Sequence, residues 1–140
     1  MRWSLDFRAG FIKLYKKQYV PMKAIVVDDE PSNLEILQLT LELIGLEVHA
    51  FSDGRNLVPK AREIVPSIIL LDIDLGEYDG RELCKVIKST YDLCNTPIMI
   101  LSATNESKLL SAKDYGADTV IAKPFDVDEL IAEVEKLINK

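Results

Sequence analysis

The sequence lacks long apolar runs and contains few cysteines and histidines. No uninterrupted apolar stretch approaches the roughly 18 to 20 residues that cross a bilayer, and the N-terminus has no apolar block of the signal-peptide kind. The two cysteines, Cys84 and Cys94, fit no metal-ligand spacing and are expected to be reduced thiols. The single histidine, His49, is predicted to lie in a strand and to be structural. These absences favour a soluble, cytoplasmic protein without a disulfide framework or membrane contact.

Basic residues are scarce beyond residue 22. Residues 1–22 hold five Lys/Arg against one Asp, whereas residues 23–140 hold 12 against 22 acidic residues, a net charge of −10. A body this acidic, with no basic stripe, does not offer the positive footprint that binds a phosphate backbone. Direct binding of nucleic acid is therefore not expected.

From Met22 onward, short apolar segments alternate with segments of helical periodicity, within a length of 140 residues that suits one domain. The predicted strands are, in order, KAIVV, LEVHAFS, SIILLD, PIMILS and DTVIAK. The predicted helices lie in SNLEILQLTLELIG, residues 55–64, GRELCKVIKS, ESKLLSAKDYG and DVDELIAEVEKLINK. Five apolar strands, each followed by a helix, predict an α/β fold with a parallel sheet covered on both faces.

Several helix boundaries carry their own signals. Pro31 opens the first helix, and Gly45 suits the position just past its end. Pro59 is expected to kink or shorten the second helix. Asp126 is predicted to cap the last helix, whose apolar stripe consists of Leu130, Val134, Leu137 and Ile138.

Polar side chains follow the predicted strands at their carboxyl ends. The first strand ends in Asp28 and Asp29, the third in Asp72, the fourth in Ser102 and the fifth in Lys123. Because the carboxyl ends of parallel strands share one edge of the sheet, and ligands of such sheets bind there, we expect these groups to converge.

The expected convergence of carboxylates requires positive charge. Carboxylates about 4 Å apart repel by roughly 4 kcal/mol per pair at an effective dielectric constant near 20. Lys123 supplies one positive charge, and an open pocket of oxygen ligands suits Mg²⁺. A divalent cation beside a carboxylate, a hydroxyl and a lysine is an arrangement that can position and neutralise a phosphoryl group during its transfer. In such a site Asp72 is the predicted nucleophile.

The segments VVDDE, LLDIDL, DG, LSA and AKPF resemble, in order and spacing, the motifs of response-regulator receiver domains of two-component signalling. The resemblance covers residues 22–140. It implies a flavodoxin-like, doubly wound sheet of five parallel strands in the order 2-1-3-4-5. It also implies a phosphorylated signalling switch, not a conventional enzyme. The phosphoryl donor would be a phosphohistidine on a histidine kinase or a histidine phosphotransfer protein, and hydrolysis would later remove the phosphoryl group.

The resemblance also implies a metal-binding set. Asp72 would be the phosphoacceptor and would contribute to the Mg²⁺ site together with Asp29, the direct carboxylate ligand. Asp28 would act mainly through water, and the backbone carbonyl of Asp74 would be a further ligand.

The resemblance also implies roles for residues at the ends of the last two predicted strands. Ser102 would hydrogen-bond a phosphoryl oxygen, and Ala103 would leave room for that group. Lys123 would pair with the phosphoryl group or with Asp72. The family pattern also implies a cis bond between Lys123 and Pro124.

The sequence departs from the family pattern at two positions. Gly76 stands where the family often has proline, which predicts a looser loop. Val120 stands three residues before Lys123, where the family usually has an aromatic side chain that moves with the hydroxyl of the fourth strand. The switch is therefore predicted to depend on Ser102 more than on Val120.

Two other functions fit parts of the pattern. LLDIDLG also resembles the Asp-x-Asp pair of haloacid-dehalogenase-type phosphatases, although in that family the pair normally lies on the first strand of the core. A receiver-like module that binds partners without being phosphorylated is the other alternative, and the complete set of acidic, hydroxyl and lysine residues argues against it.

Residues 1–21 form a basic extension ahead of the predicted domain. Trp3, Phe7, Phe11 and Leu14 follow helical spacing, although Gly10 weakens the pattern. We interpret the extension as an appended or upstream-translated segment; docking to a partner, self-association and contact with a membrane surface remain alternatives. The expected partners beyond the phosphodonor are an effector protein or an output domain outside this sequence, and a homodimer is left open.

Overall fold

The central sheet has five parallel strands in the computed structural model, which describes residues 20–103 and 106–139. The strands are β1 (Lys23–Val27), β2 (Glu47–Phe51), β3 (Ile68–Asp72), β4 (Ile98–Ser102) and β5 (Thr119–Ala122). They are hydrogen-bonded in the order β2-β1-β3-β4-β5, and all four pairings are parallel. The predicted α/β class and strand order are therefore confirmed. The order reverses between β1 and β3, which places a crevice beyond their carboxyl ends.

Helices follow each strand and cover both faces of the sheet. They are α1 (Pro31–Leu43), α2 (Leu57–Ile64), α3 (Gly80–Lys88), α4 (Glu106–Ser111) and α5 (Val127–Ile138), with a 3₁₀-helix (Ala112–Tyr115) directly after α4. None of the helices in the described part of the chain is both long enough and apolar enough to span a bilayer.

Alternation along the strands divides the interior into two cores, one on each face of the sheet. The core beneath α2, α3 and α4 receives alternate strand residues, namely Ile25, Val27, Ile69, Leu71, Ile98 and Ile100. The core beneath α1 and α5 receives the residues between them, namely Ala24, Val26, Ile68, Leu70, Met99 and Leu101. All twelve are at most 1% exposed, which explains why the strands read as continuous apolar runs.

The residues that were predicted to begin or end helices α1, α2 and α5 lie at the observed ends of those helices. Gly45 follows α1 with a φ of 94°, a left-handed conformation that suits glycine. Asp126 caps α5 by accepting a 2.7 Å hydrogen bond from the backbone N–H of Asp128. Helix α2 begins at Leu57, so Pro59 falls in the first turn, where the missing N–H would have had no partner within the helix.

Two local features differ from the sequence-based expectations. Gly76 lies in a regular turn and not in an irregular loop: with a φ of 67° it occupies the two-residue turn of a short antiparallel hairpin, in which Leu75 pairs with Tyr78. A positive φ at the first turn residue is typical of a type II′ hairpin and is readily adopted by glycine. The predicted helix over ESKLLSAKDYG is divided, since its second half tightens to the 3₁₀-helix before Gly116, which has a φ of 100°.

Val65, at the end of α2, has a backbone conformation that is unusual for its side chain. Its φ is 55° and its ψ is 65°, and its side chain is exposed. A β-branched residue in this left-handed region is strained, whereas asparagine tolerates it. We expect Val65→Asn to raise the free energy of unfolding by about 1 kcal/mol, measured by urea denaturation.

Val86 provides the control for this measurement. It is an exposed valine with ordinary helical geometry in α3, so Val86→Asn should not stabilise the protein. Equal effects of the two substitutions would show that relief of backbone strain is not the cause.

The predicted helix in residues 1–21 lies almost entirely outside the described residues, which begin at Val20. Both cysteines are free thiols, as predicted. His49 lies in β2, with its Nε2 3.2 Å from Oε1 of Glu47.

Candidate functional site

Three carboxylates meet at the carboxyl-terminal edge of the sheet. Asp28 and Asp29 directly follow β1, and Asp72 is the last residue of β3. One oxygen from each lies within 4.8 Å of the others. Asp28 and Asp72 are buried and Asp29 is exposed, so the cluster is open to solvent on one side.

Lys123 joins this cluster from the end of β5. Its Nζ donates to Oδ2 of Asp28 at 2.5 Å and to Oδ2 of Asp72 at 3.3 Å. The ammonium group therefore lies between two of the three carboxylates. The resemblance implied a pairing with Asp72, and the structure adds a shorter contact with Asp28.

The backbone around Asp28 and Asp72 fixes the orientation of both carboxylates. Oδ1 of Asp28 accepts a 3.0 Å hydrogen bond from the backbone N–H of Glu30, so both of its oxygens have partners. Oδ1 of Asp72 accepts a longer one, 3.4 Å, from the backbone N–H of Asp74. Asp72 is therefore held less firmly than Asp28.

The charges in the cluster shift two pKa values. Burial raises the pKa of the Asp72 carboxyl above its ordinary value; the Lys123 ammonium opposes this shift, and the Asp28 carboxylate adds to it. Burial alone would lower the pKa of Lys123, but the hydrogen bond from its ammonium to Asp28 and the charge of Asp72 outweigh that effect and raise it. Lys123 is therefore a cation at neutral pH.

The start of α3 lies directly against the backbone of Asp72. The N–H of Gly80 donates to the carbonyl of Ile73 at 2.8 Å. A Cβ atom at position 80 would lie 1.9 Å from the backbone oxygen of Asp72, so only glycine fits there. Asp79 caps the helix by accepting a 2.8 Å hydrogen bond from the backbone N–H of Arg81. This glycine determines how closely α3 approaches the strand end.

Ser102 and Val120 lie on the neighbouring strands β4 and β5, and their side chains are on the same face of the sheet. Ser102 is fully buried at the end of β4, and its carbonyl accepts a 2.9 Å hydrogen bond from the backbone N–H of Lys123. Val120, one residue into β5, is partly buried against the core beneath α4. Ala103, which follows Ser102, is exposed and lines a surface cavity together with Lys123.

The donor set fits Mg²⁺. Oxygens bound directly to Mg²⁺ at about 2.0–2.1 Å lie at most about 4.2 Å apart, so a cluster bounded by 4.8 Å needs a small closure or one bridging water. Asp28 is the carboxylate with the shorter hydrogen bonds, 2.5 Å from Lys123 and 3.0 Å from the backbone of Glu30, and it is therefore the one suited to act through water. Asp74 is exposed and lies two residues after Asp72, so its backbone carbonyl is a candidate for a further oxygen ligand.

The measured distances thus show that Asp28, Asp29, Asp72 and Lys123 lie together in one site. Asp74, Ser102 and Ala103 are placed beside them by sequence and strand register, and the Lys123–Pro124 bond is cis. Sequence reasoning missed the hydrogen bond from Glu30 and the contact of Gly80 with Asp72. The Gly80 contact had a sequence signal in the glycine of the DG motif, whereas a backbone N–H donor has none.

Comparisons with known proteins agree with this geometry. The sequence model of the response regulator receiver domain matches residues 24–135. The structure is similar to a response regulator of Chloroflexus aurantiacus J-10-fl, with 27% identity, a TM-score of 0.81 and coverage of 86% of this chain and 100% of that one. It is also similar to the chemotaxis protein CheY4 of Vibrio cholerae, with 28% identity, a TM-score of 0.77 and coverage of 84% and 99%.

A third similar structure is the BeF3-activated receiver domain of DrrB, with 28% identity, a TM-score of 0.76 and coverage of 86% of this chain and 100% of that one. The family match spans well over half of the chain and includes the strand-end residues described above. The chain therefore belongs to the response regulator receiver domain family of two-component signalling.

Proposed function

We propose that this receiver domain accepts a phosphoryl group on Asp72 from a phosphohistidine, in a reaction that requires Mg²⁺. One observation carries the proposal: the carboxylates of Asp28, Asp29 and Asp72 lie within 4.8 Å, and Lys123 reaches two of them at the ligand-binding edge of the sheet. A purely structural ion pair would not include a third carboxylate at that distance, because the added negative charge is repulsive. A third carboxylate is favourable where it binds a cation that in turn contacts a phosphoryl group.

In the proposed transfer, a carboxylate oxygen of Asp72 bonds to phosphorus as the phosphorus–nitrogen bond of phosphohistidine breaks. The imidazole nitrogen keeps the electron pair of that bond. Subsequent attack by water on phosphorus releases inorganic phosphate and restores the carboxylate. Asp72 is the least firmly held of the two buried carboxylates, with a single backbone donor at 3.4 Å, so one of its oxygens can reach the donor.

Asp29, Asp72 and the carbonyl of Asp74 would hold Mg²⁺, with Asp28 acting through water. The cation would neutralise charge on the phosphoryl oxygens. Lys123 would move toward the phosphoryl group and away from Asp28, and the hydroxyl of Ser102 would donate to a phosphoryl oxygen. Each of these groups neutralises negative charge where the phosphoryl group adds it.

The proposed partners are a histidine kinase or histidine phosphotransfer protein upstream and an effector protein or output domain downstream. We place this exchange in the cytoplasm, in keeping with the reduced thiols and the acidic surface of the body. Phosphorylation would change which partners the domain binds, and a homodimer is one of the arrangements it could favour.

The proposal is tested by incubating the protein with Mg²⁺ and acetyl phosphate, a small phosphodonor. Mass spectrometry should show the addition of one phosphoryl group, which base or hydroxylamine removes, as expected for an acyl phosphate. Chelation of Mg²⁺ should prevent the addition. Sustained turnover of unrelated phosphate esters would instead favour a phosphatase, and no modification with any donor would favour a module that only binds partners.

The switch is proposed to run through Ser102 and not through Val120. Val120 is β-branched and partly buried in a strand, so it has few side-chain rotamers and sweeps little surface. Ser102 is fully buried and immediately precedes the connection to α4. We expect Ser102→Ala to reduce the amide NMR shift changes in α4 and the 3₁₀-helix that beryllofluoride, a mimic of the phosphoryl group, induces.

Val120→Ala is the matched control and should leave most of those shift changes in place. If Val120→Ala erased them while Ser102→Ala left them intact, the switch would pass through β5 and the proposed route would be wrong.

A further inference from the structure

A short hairpin follows the proposed phosphoacceptor in sequence. Its two strands are Asp74–Leu75 and Tyr78–Asp79. Leu75 and Tyr78 lie directly opposite each other, so their side chains share one face of the hairpin, and the two aspartates share the other. Leu75 is buried, Tyr78 is partly buried, and both pack on the core beneath α2, α3 and α4. This pair therefore anchors the hairpin to the body of the domain.

The hydrogen bonds of the hairpin determine where the carbonyl of Asp74 points. The N–H of Gly80 donates to the carbonyl of Ile73 at 2.8 Å, so these two residues form a hydrogen-bonded pair. Bonded and non-bonded pairs alternate along antiparallel strands, which makes the adjacent pair of Asp74 and Asp79 non-bonded. An extended residue directs its N–H and its carbonyl to one side, and the N–H of Asp74 donates to Oδ1 of Asp72 at 3.4 Å. The carbonyl of Asp74 therefore faces the side on which the carboxylate of Asp72 lies.

Tyr78 also joins the hairpin to the loop that follows β2. A Cβ atom at Gly54 would lie 3.2 Å from Cγ and 3.3 Å from Cβ of Tyr78, so this side chain lies directly against the backbone of Gly54. A surface cavity of about 220 Å³ beside this contact is lined by Asp29, by the loop after β2 and by the hairpin. The hairpin and the loop therefore meet next to the carboxylate proposed as the direct ligand of Mg²⁺.

Glycine in the turn increases the importance of this packing. Gly76 has a φ of 67°, and glycine has more backbone freedom than any other residue. Proline, which the family often has at this position, would fix φ through its ring. The turn itself therefore contributes little stiffness to the hairpin, and the contacts of Leu75 and Tyr78 must supply it.

We infer that Tyr78 is a positioning residue for the Mg²⁺ site. Its packing holds the hairpin in place, and the hairpin in turn holds the carbonyl of Asp74 on the side of the Asp72 carboxylate. This role rests on the function proposed above, in which that carbonyl is a ligand of Mg²⁺. Mg²⁺ demands nearly ideal octahedral geometry, so a displaced ligand weakens its binding. Residues that orient the ligands of a metal affect its affinity without contacting it.

The role of Tyr78 is tested by titrating Mg²⁺ into the full chain and following the amide NMR shifts. Tyr78→Ala should weaken Mg²⁺ binding by about tenfold, the lower end of the effect of losing a residue that orients a metal ligand. It should also increase the hydrogen exchange rate of the Leu75 amide severalfold in metal-free protein. Tyr78→Leu, which loses less burial, should change both quantities in the same direction. Tyr78→Phe keeps the ring and should bind Mg²⁺ normally; weakened binding would assign the effect to the hydroxyl group and overturn a role for packing.

Ile64→Ala is the matched control for lost packing. Ile64 packs against the same core from the last turn of α2, about 10 Å along that helix from the loop that contacts the hairpin. This variant should be less stable but should keep the Mg²⁺ affinity and the exchange rate of Leu75. Equal weakening of Mg²⁺ binding in Ile64→Ala would show a general effect of stability and overturn the inference. Binding that ignores Tyr78→Ala would overturn the inference alone, whereas absence of Mg²⁺ binding by the unaltered protein would overturn the proposed function with it.

Discussion

Asp72→Asn is expected to abolish the addition of a phosphoryl group from acetyl phosphate, with no residual modified mass above background. Asparagine keeps the shape of the side chain but replaces the nucleophilic carboxylate with an amide. It also removes one of the three negative charges that would hold Mg²⁺. The measurement is the intact mass of the protein after incubation with Mg²⁺ and the donor.

Asp74→Asn is the control for this substitution. Asp74 lies two residues away and its side chain is exposed, whereas the proposal uses only its backbone carbonyl. The variant should therefore still be phosphorylated. Full labelling of Asp72→Asn would show that another carboxylate is the acceptor, and loss of labelling in Asp74→Asn alone would show that its side chain has the role assigned to its backbone.

Gly80→Ala is expected to lower the free energy of unfolding by about 3 kcal/mol, at the upper end of what overpacking usually costs. Alanine favours helices over glycine by up to about 1 kcal/mol, but here its Cβ would lie 1.9 Å from the backbone oxygen of Asp72. Backbone cannot rotate away as a side chain can, so either α3 or the end of β3 must move. The effect is measured as the shift in the midpoint of urea denaturation.

Gly54→Ala separates a backbone clash from a side-chain clash. A Cβ at Gly54 would lie 2.5 Å from a methyl group of Leu83, which can rotate, so we expect a loss of only about 1 kcal/mol. Equal losses at the two glycines would show that the contact with the Asp72 backbone has no special cost. Gly80→Ala should also slow phosphorylation of the molecules that remain folded, because it displaces the acceptor.

The sequence was sufficient to predict the elements that depend on local pattern. The continuous apolar strands predicted the buried parallel sheet, and Gly45 and Asp126 predicted helix ends, because each of these signals acts within a few residues. The grouping of Asp28, Asp29, Asp72 and Lys123 was also predictable, since strand ends in a parallel sheet share one edge.

Other features could not be predicted, because they depend on contacts between residues that are far apart in sequence or on tertiary structure. Lys123 contacts Asp28, 95 residues away in sequence, at a shorter distance than Asp72, although β3 stands nearer to β5 in the sheet than β1 does. The hairpin at Gly76 required two short segments to pair, and neither has the length of an ordinary strand. The left-handed conformation of Val65 contradicts the preference of valine, so tertiary structure overrides local preference there.

The division of the interior into two cores has a consequence for how effects combine. Val120 belongs to the core beneath α2, α3 and α4, and Ser102 continues the alternation of Ile98 and Ile100 on that face, whereas α1 and α5 cover the other face. Substitutions at Leu130, in the core beneath α1 and α5, and at Ser102 therefore affect packing on opposite faces of the sheet. Their effects on the free energy of unfolding are expected to be additive, so a double mutant cycle should give a coupling energy near zero.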